Sequence, residues 1–263
     1  GWMKGTSVPT KAFGDDDGYN IDIPDLADVL KNSFSEKLDF VLFDACMMGT
    51  AEVGYELRET TSYCIASVME TPVYGFPYDQ ILPYLYTENI DYPAVCHEFM
   101  SFNKTNNLWG TCAVMDCSQM ENLASAVKAK LSEWKDALSS VSMQNVQQYG
   151  VNSYKYFSYD VLDFFRELGR KSGVVKTTDL NEAIASVQSA LNQAVIAKDC
   201  LSGVDYDFDG LVIDGTRFCG IGMYIPREYN HYELNTVSYN WNDYYKQSIS
   251  WYRAAGWADL KLN

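Results

Sequence analysis

The sequence is short of basic residues, of histidine and of long apolar runs. Twenty lysines and arginines face 35 acids, for a formal charge of −15. That balance argues against nucleic acid or an anionic membrane surface as partner, and favours a basic substrate, a cation or plain solubility. No apolar stretch reaches the roughly eighteen residues a bilayer requires, so no membrane span is expected. The first residues also lack the layout of a signal peptide. The seven cysteines (46, 64, 96, 112, 117, 200 and 219) are odd in number and scattered. They lack the close pairs a zinc site needs, and several fall in apolar runs where free core thiols are expected. Histidine occurs only as His97 and His231. There is no internal repeat and no linker. With 263 residues, 47% of them hydrophobic, the chain can bury a full core as one large domain or one domain with additions.

Leu38 to Phe43 is nearly all large and apolar, too short for a helix and without polar alternation. It reads as a parallel strand buried on both faces. The run stops at Asp44-Ala45-Cys46-Met47-Met48-Gly49, ahead of a helix that begins near Thr50. Open α/β sheets place their chemistry beyond strand ends, and the amides of a helix start favour thiolate, so Cys46 is a candidate nucleophile. The plain alternative is a structural cysteine closing a core strand. A second apolar run, Cys64 to Val68, completes a right-handed βαβ unit. Glu70 to Tyr78 leaves its end and is placed to wall a pocket beside Cys46. Helical spacing marks 79–100, 119–138, Tyr154–Leu168 and Leu180–Ile196, with strands at Gly110–Met115 and Phe218–Ile225 and an aromatic tail from Tyr239 to Trp257. The helix at Ile23–Leu30 opens with Pro24 and acids, as helix starts prefer.

Phe43-Asp44-Ala45-Cys46-Met47-Met48-Gly49, then Glu52 to Leu57, Tyr63 to Ser67 and Glu70-Thr71-Pro72-Val73-Tyr74-Gly75-Phe76-Pro77-Tyr78, resembles the clostripain-like cysteine peptidases (family C11), relatives of caspases, gingipains and legumains. The likeness continues at Gly110–Asp116, Tyr159–Phe164 and Cys219–Pro226. It implies a caspase-like α/β domain with a mainly parallel sheet flanked by helices. It also implies an endopeptidase that cuts after arginine or lysine through a Cys–His dyad and a thioester. In that family a His-Gly motif, often continued by Gly-Trp, supplies the base. Gly1-Trp2 looks like the tail of that motif, so the resemblance places the histidine, and the first strands of the sheet, just upstream of residue 1. The oxyanion hole would be the amides of Cys46 and Gly1. Asp44 matches the acid at the floor of the basic-residue pocket, and Glu70 and Tyr74 line its wall. Tyr74 stands where the family commonly has a second acid, a departure that Glu70 would have to offset. The expected partner is a peptide or protein with arginine or lysine before the cut, and the expected setting is the outside or surface of a bacterial cell.

Residues 1–24 read as an exposed loop with Gly5, Pro9, Gly14 and the acidic triplet Asp15–Asp17. The resemblance implies self-activation in this segment, with Lys11–Ala12 as the bond; the alternative is an ordinary surface loop. Residues 25–263 are then the peptidase domain with helical, aromatic-rich additions. His97 sits in a helical pattern as a packing residue and His231 in a surface loop. Asp205-Tyr206-Asp207-Phe208-Asp209-Gly210 matches the first half of a calcium loop, but Thr216 stands where the closing glutamate belongs. An acidic hairpin turn is the simpler reading, calcium the alternative, and no cofactor is required. The competing functional class is an inactive relative serving as a secreted scaffold for protein or carbohydrate, for which the twenty tyrosines would supply platforms.

Overall fold

The computed structural model describes residues 13–16, 19–149, 158–206, 211–227, 231–234 and 237–260. After an antiparallel pair, Phe13–Asp16 with Tyr19–Ile21, come α1 (Ile23–Ser33), β1 (Leu38–Leu42), α2 (Ala51–Leu57), β2 (Thr61–Ala66), α3 (Tyr78–Leu85), α4 (Tyr92–Thr105), β3 (Thr111–Asp116) and α5 (Met120–Glu133). Then follow α6 (Val161–Lys171), α7 (Thr177–Ala183), α8 (Ala185–Ala194), β4 (Val195–Cys200), β5 (Gly222–Tyr224), α9 (Trp241–Ser248) and α10 (Trp251–Ala254).

The central sheet runs β1-β2-β3-β4. β1 and β2 are parallel, as the βαβ reading requires, whereas β3 and β4 join antiparallel. The sheet is therefore mixed among the described strands. Strand alternation sends Cys64, Ala66 and Met115 into one core, against α2, α5, α6 and α8. Ile65, Cys112 and Val114 go into a second core, under α3 and α4. In that second core Phe76 stacks on Phe99 at 3.9 Å between centroids, and burying a phenylalanine is worth about 1.5–3 kcal/mol. Helices thus cover both faces.

β1 differs from expectation. It ends the row of described strands, and its residues are half-buried with Asp39 exposed, rather than sealed on both faces. The stretch 79–100 is two helices, because the polar run Thr87-Glu88-Asn89 cannot continue an apolar stripe and Asp91 caps the second helix through Ala94 N–H at 3.0 Å. Tyr154–Leu168 was expected to be one helix. Its observed part starts at Val161, after a short strand, with Asp160 as cap. His231 lies in an antiparallel strand pair, His231–Leu234 with Val237–Asn240, not in a loop. Asp205–Tyr206 and Leu211–Val212 pair antiparallel around the acidic turn; Asp207, Asp209 and Gly210 lie outside the described residues, as do Gly1, Lys4, Lys11 and Ala12.

The C-terminal helices fasten α2. Buried Glu52 accepts from Tyr224 N–H at 2.8 Å and Tyr245 hydroxyl at 3.2 Å. Glu56 takes both the amide and the hydroxyl of Ser250, the amide at 2.5 Å. The rings of Tyr55 and Trp251 meet edge-on at 5.7 Å.

Candidate active site

Beyond Leu42 the ladder continues for one residue, with Phe43 N–H to Ile65 carbonyl at 2.9 Å, and then breaks. Cys46 stands in the turn that follows, half-buried, its thiol 3.9 Å from Thr71 carbonyl. Met47 has φ 60°, the left-handed region that costs a side-chain-bearing residue energy. Four bonds hold it there. Met47 N–H reaches Met69 carbonyl at 2.8 Å, and Gly49 N–H reaches Ser67 carbonyl at 2.7 Å. From the neighbouring segments, Thr71 hydroxyl donates to Ala45 carbonyl at 3.3 Å, and Gly222 N–H to Gly49 carbonyl at 3.0 Å. A Cβ at Gly49 would stand 2.8 Å from main-chain atoms of Ser67 and Val68, so only glycine lets the turn lie this close to the chain leaving β2.

The wall of the site is Glu70 to Tyr78. Gly75, at φ +67°, lies directly against the Asp44 carboxylate: a Cβ there would come within 2.8 Å of Oδ1. Tyr78 hydroxyl donates to Asp44 Oδ2 at 3.1 Å. Burial, then the Asp44 charge, pushes the Tyr78 phenol up to about 12. Asp44 itself is exposed, not buried as the pocket-floor expectation had it, because it lies beyond the end of β1, where Gly75 and Tyr78 are the contacts on its carboxylate. Glu70 is half-buried, and its carbonyl accepts from Trp109 Nε1 at 3.1 Å. Tyr74 is 68% exposed and Val73 95% exposed, an apolar lip beside the acid. The segment meets the strand end through Thr71, Gly75 and Tyr78, while the Glu70 carbonyl faces Trp109 and the Tyr74 ring meets Phe102 edge-on at 6.4 Å; Gly1 lies outside the described residues. Sequence reasoning missed Thr71 and Tyr78. Both lie in the stretch already singled out, but which residue of it touches which strand-end atom has no local signal.

Contrary to expectation, Cys46 does not stand at a helix start. α2 has seven residues and begins at Ala51, and its N-cap Thr50 Oγ1 already accepts from Val53 N–H at 3.4 Å. Cys46 lies before that cap, in the turn. What distinguishes it is access. Among the seven free thiols only Cys46 and Cys200 are not buried. Burial pushes the thiols of Cys64, Cys112 and Cys219 well up, and Cys117 up to about 12. Burial, then the Asp199 charge, pushes Cys200 up to about 11.

His97 is 71% exposed, its Nδ1 3.6 Å from Asp199 Oδ2 and its Nε2 3.5 Å from Ser101 hydroxyl. Asp199 belongs to β4, at the far end of the sheet from β1. Three strand spacings separate them, on the order of 14 Å, so this imidazole is turned toward the wrong strand. Among the described residues no group of three or more His, Cys, Asp or Glu is arranged to hold a metal.

The model of the Clostripain family of C11 peptidases matches residues 1–261. The chain belongs to that family. A clostripain from Bacteroides thetaiotaomicron, solved with a peptide inhibitor, is 27% identical over 92% of this chain and 97% of its own, with a TM-score of 0.71. A secreted C11 cysteine protease from the same species is 27% identical, covering 96% of this chain and 65% of that one, TM-score 0.71. A B. fragilis cysteine protease at 24% identity shares the fold, with a TM-score of 0.76 over 94% of this chain and 98% of its own. No curated protein matches. The clostripain-family chain is a cysteine peptidase, and the caspase-like arrangement of sheet and flanking helices is what its solved relatives share.

Proposed function

We propose that this peptidase cuts after arginine or lysine, with Cys46 as nucleophile and Asp44 as the acid that receives the basic side chain. The observation that carries the reading is the turn itself: an accessible thiol stands at a strand end, with an exposed carboxylate two residues earlier that packs against Gly75 and accepts from the Tyr78 hydroxyl. A guanidinium or ammonium facing Asp44 keeps its charge paired, whereas a neutral side chain would desolvate the carboxylate and leave it only the Tyr78 hydroxyl. Glu70 and Tyr74 complete the wall.

In the proposed route the Cys46 thiolate attacks the scissile carbonyl and forms a tetrahedral oxyanion held by main-chain amides, that of Cys46 among them and that of Gly1 as the second. The C–N bond then breaks, with an imidazole protonating the leaving amine, and water hydrolyses the thioester to return the thiol and a free carboxylate. The imidazole is assigned to a histidine upstream of Gly1. That follows the resemblance of Gly1-Trp2 to the family motif, and it agrees with His97 being tied to Asp199 and Ser101. Self-processing at Lys11–Ala12 would use the same specificity, since Lys11 is a basic residue before a cut. Action outside the cell is in keeping with the secreted Bacteroides relative. No step calls for a cofactor.

The test is brief labelling near neutral pH with a peptide acyloxymethyl ketone ending in arginine or lysine, followed by peptide mapping. Cys46 is expected to carry the label while the other six thiols do not. Cys200, the other accessible thiol, is the internal control, and its modification ahead of Cys46 would overturn the assignment.

A further inference from the structure

We propose that the pocket between α6, α8 and the outer edge of β4 is an anion site that takes a small free oxyanion of the phosphate or carboxylate type. The pocket has a volume of about 140 Å³ and lies on the opposite edge of the sheet from β1. A water needs on the order of 10–15 Å³ by the same measure, so a tetrahedral oxyanion or a short dicarboxylate fits. Three cations line it, Arg166, Lys198 and Arg217, with the amides of Gln188 and Asn192 as neutral donors and no acid in the lining. In a chain of net charge −15 such a concentration of positive charge needs a reason.

The cations are positioned by the fold. Arg217 is fixed by Asp163, with Nε–Oδ2 at 3.1 Å, and by Asn145 carbonyl at 2.5 Å. Lys198 Nζ donates to Phe218 carbonyl at 2.5 Å and keeps its remaining N–H groups. Gly220, at φ +103°, lets the chain fold over β4, where a Cβ would press on Val195 and on the Lys198 stem. Arg166 has no ion-pair or hydrogen-bond partner among the described residues. Arg217 is paired with Asp163 and also feels the Asp214 and Asp160 charges, so Arg166 and Lys198 are the two cations left for a ligand. The nearby Asp214 carboxylate is taken by the amide and hydroxyl of Thr216, at 2.9 and 2.7 Å.

The full chain is titrated with inorganic phosphate and, separately, with succinate, while calorimetric binding and melting temperature are followed against sodium chloride at matched ionic strength. The expected result is saturable binding of at least one of the two, weakened about tenfold to a hundredfold in Arg166→Gln and lost in Arg166→Gln with Lys198→Gln. Cleavage of an arginine reporter without added anion should be unchanged in Arg166→Gln. A melting shift no larger than that of chloride, or binding that survives in the double variant, would overturn the site. Binding of an acid-rich peptide without binding of either free ion would overturn the choice of a small ligand. Because Cys46 labelling is read separately, failure of this proposal is distinguishable from failure of the proposed function.

Discussion

Asp44→Asn is expected to lower kcat/KM for substrates with arginine before the cut by about 2–3 kcal/mol, roughly thirtyfold to more than a hundredfold. The same change should leave cleavage of a citrulline analogue almost untouched. The free carboxylate is exposed and keeps one tyrosine bond, so the substrate has to displace water from it. That places the loss near the lower end of what charge-assisted pairs give. Stability should barely move, because an exposed strand-end acid held by one hydroxyl contributes little to the folded state. If the arginine-to-citrulline ratio is the same in both proteins, Asp44 is only a structural acid and the pocket lies elsewhere.

The second large effect concerns Glu52. Burial, only partly offset by the bonds from Tyr224 and Tyr245, lifts its carboxyl from the ordinary 4.5 to about 7. Among the described residues Oε2 has no hydrogen-bond partner. The folded state therefore holds the proton more tightly than the unfolded chain, which releases it near 4.5. Stability from this group is fully present below about pH 4.5 and is lost as pH rises to about 7. Between pH 5 and pH 8 the loss is about 2–3 kcal/mol. Glu52→Gln keeps an acceptor for Tyr224 and Tyr245 and removes the titration, so the stability difference between wild type and variant, read from denaturant unfolding at the two pH values, should change by that amount in the variant's favour. Buried Asp160, whose carboxyl is also pushed up, is common to both proteins and cancels. A difference that does not vary with pH would show that water reaches Glu52.

The part of the fold nearest the site was the most legible. β1, α2 and β2 are bounded by Gly49 and polar turns, and the short apolar runs marked both strands, although β1, with Asp39 exposed, is half-buried rather than covered on both faces. β4 was missed. Val195 to Cys200 continues directly from α8 with no glycine or proline between them, so the helical spacing of Val187, Ala190, Leu191 and Ala194 runs into a strand whose partner, β3, lies some eighty residues earlier. Alternation was present there, since Ala197 is buried between exposed Ile196 and Lys198, but it is short and overlaps the helical pattern. At the site, the strand-end position and the neighbouring residue types marked Cys46 and Asp44. The exposure of Asp44 and the roles of Thr71 and Tyr78 were not legible, because each depends on a contact between segments that share no pattern.

The fastening of α2 by β5 and the C-terminal helices has a consequence for the order of synthesis. Glu52 finds its partners 172 and 193 residues later, and Glu56 finds Ser250 194 residues later. At roughly 5–20 residues per second the ribosome takes about 10–40 s to cover that interval. Throughout it the turn that carries Cys46 lacks the Gly222 contact and the helix behind it lacks its floor. Contacts so distant form last in a growing chain, so the thiol is still unset while its own ribosome and neighbouring nascent chains are within reach. Chains stalled before Gly222 should stay unlabelled by the peptide electrophile and chains stalled beyond Trp257 should take it up; equal labelling of both would show that the turn is set locally, without the C-terminal third.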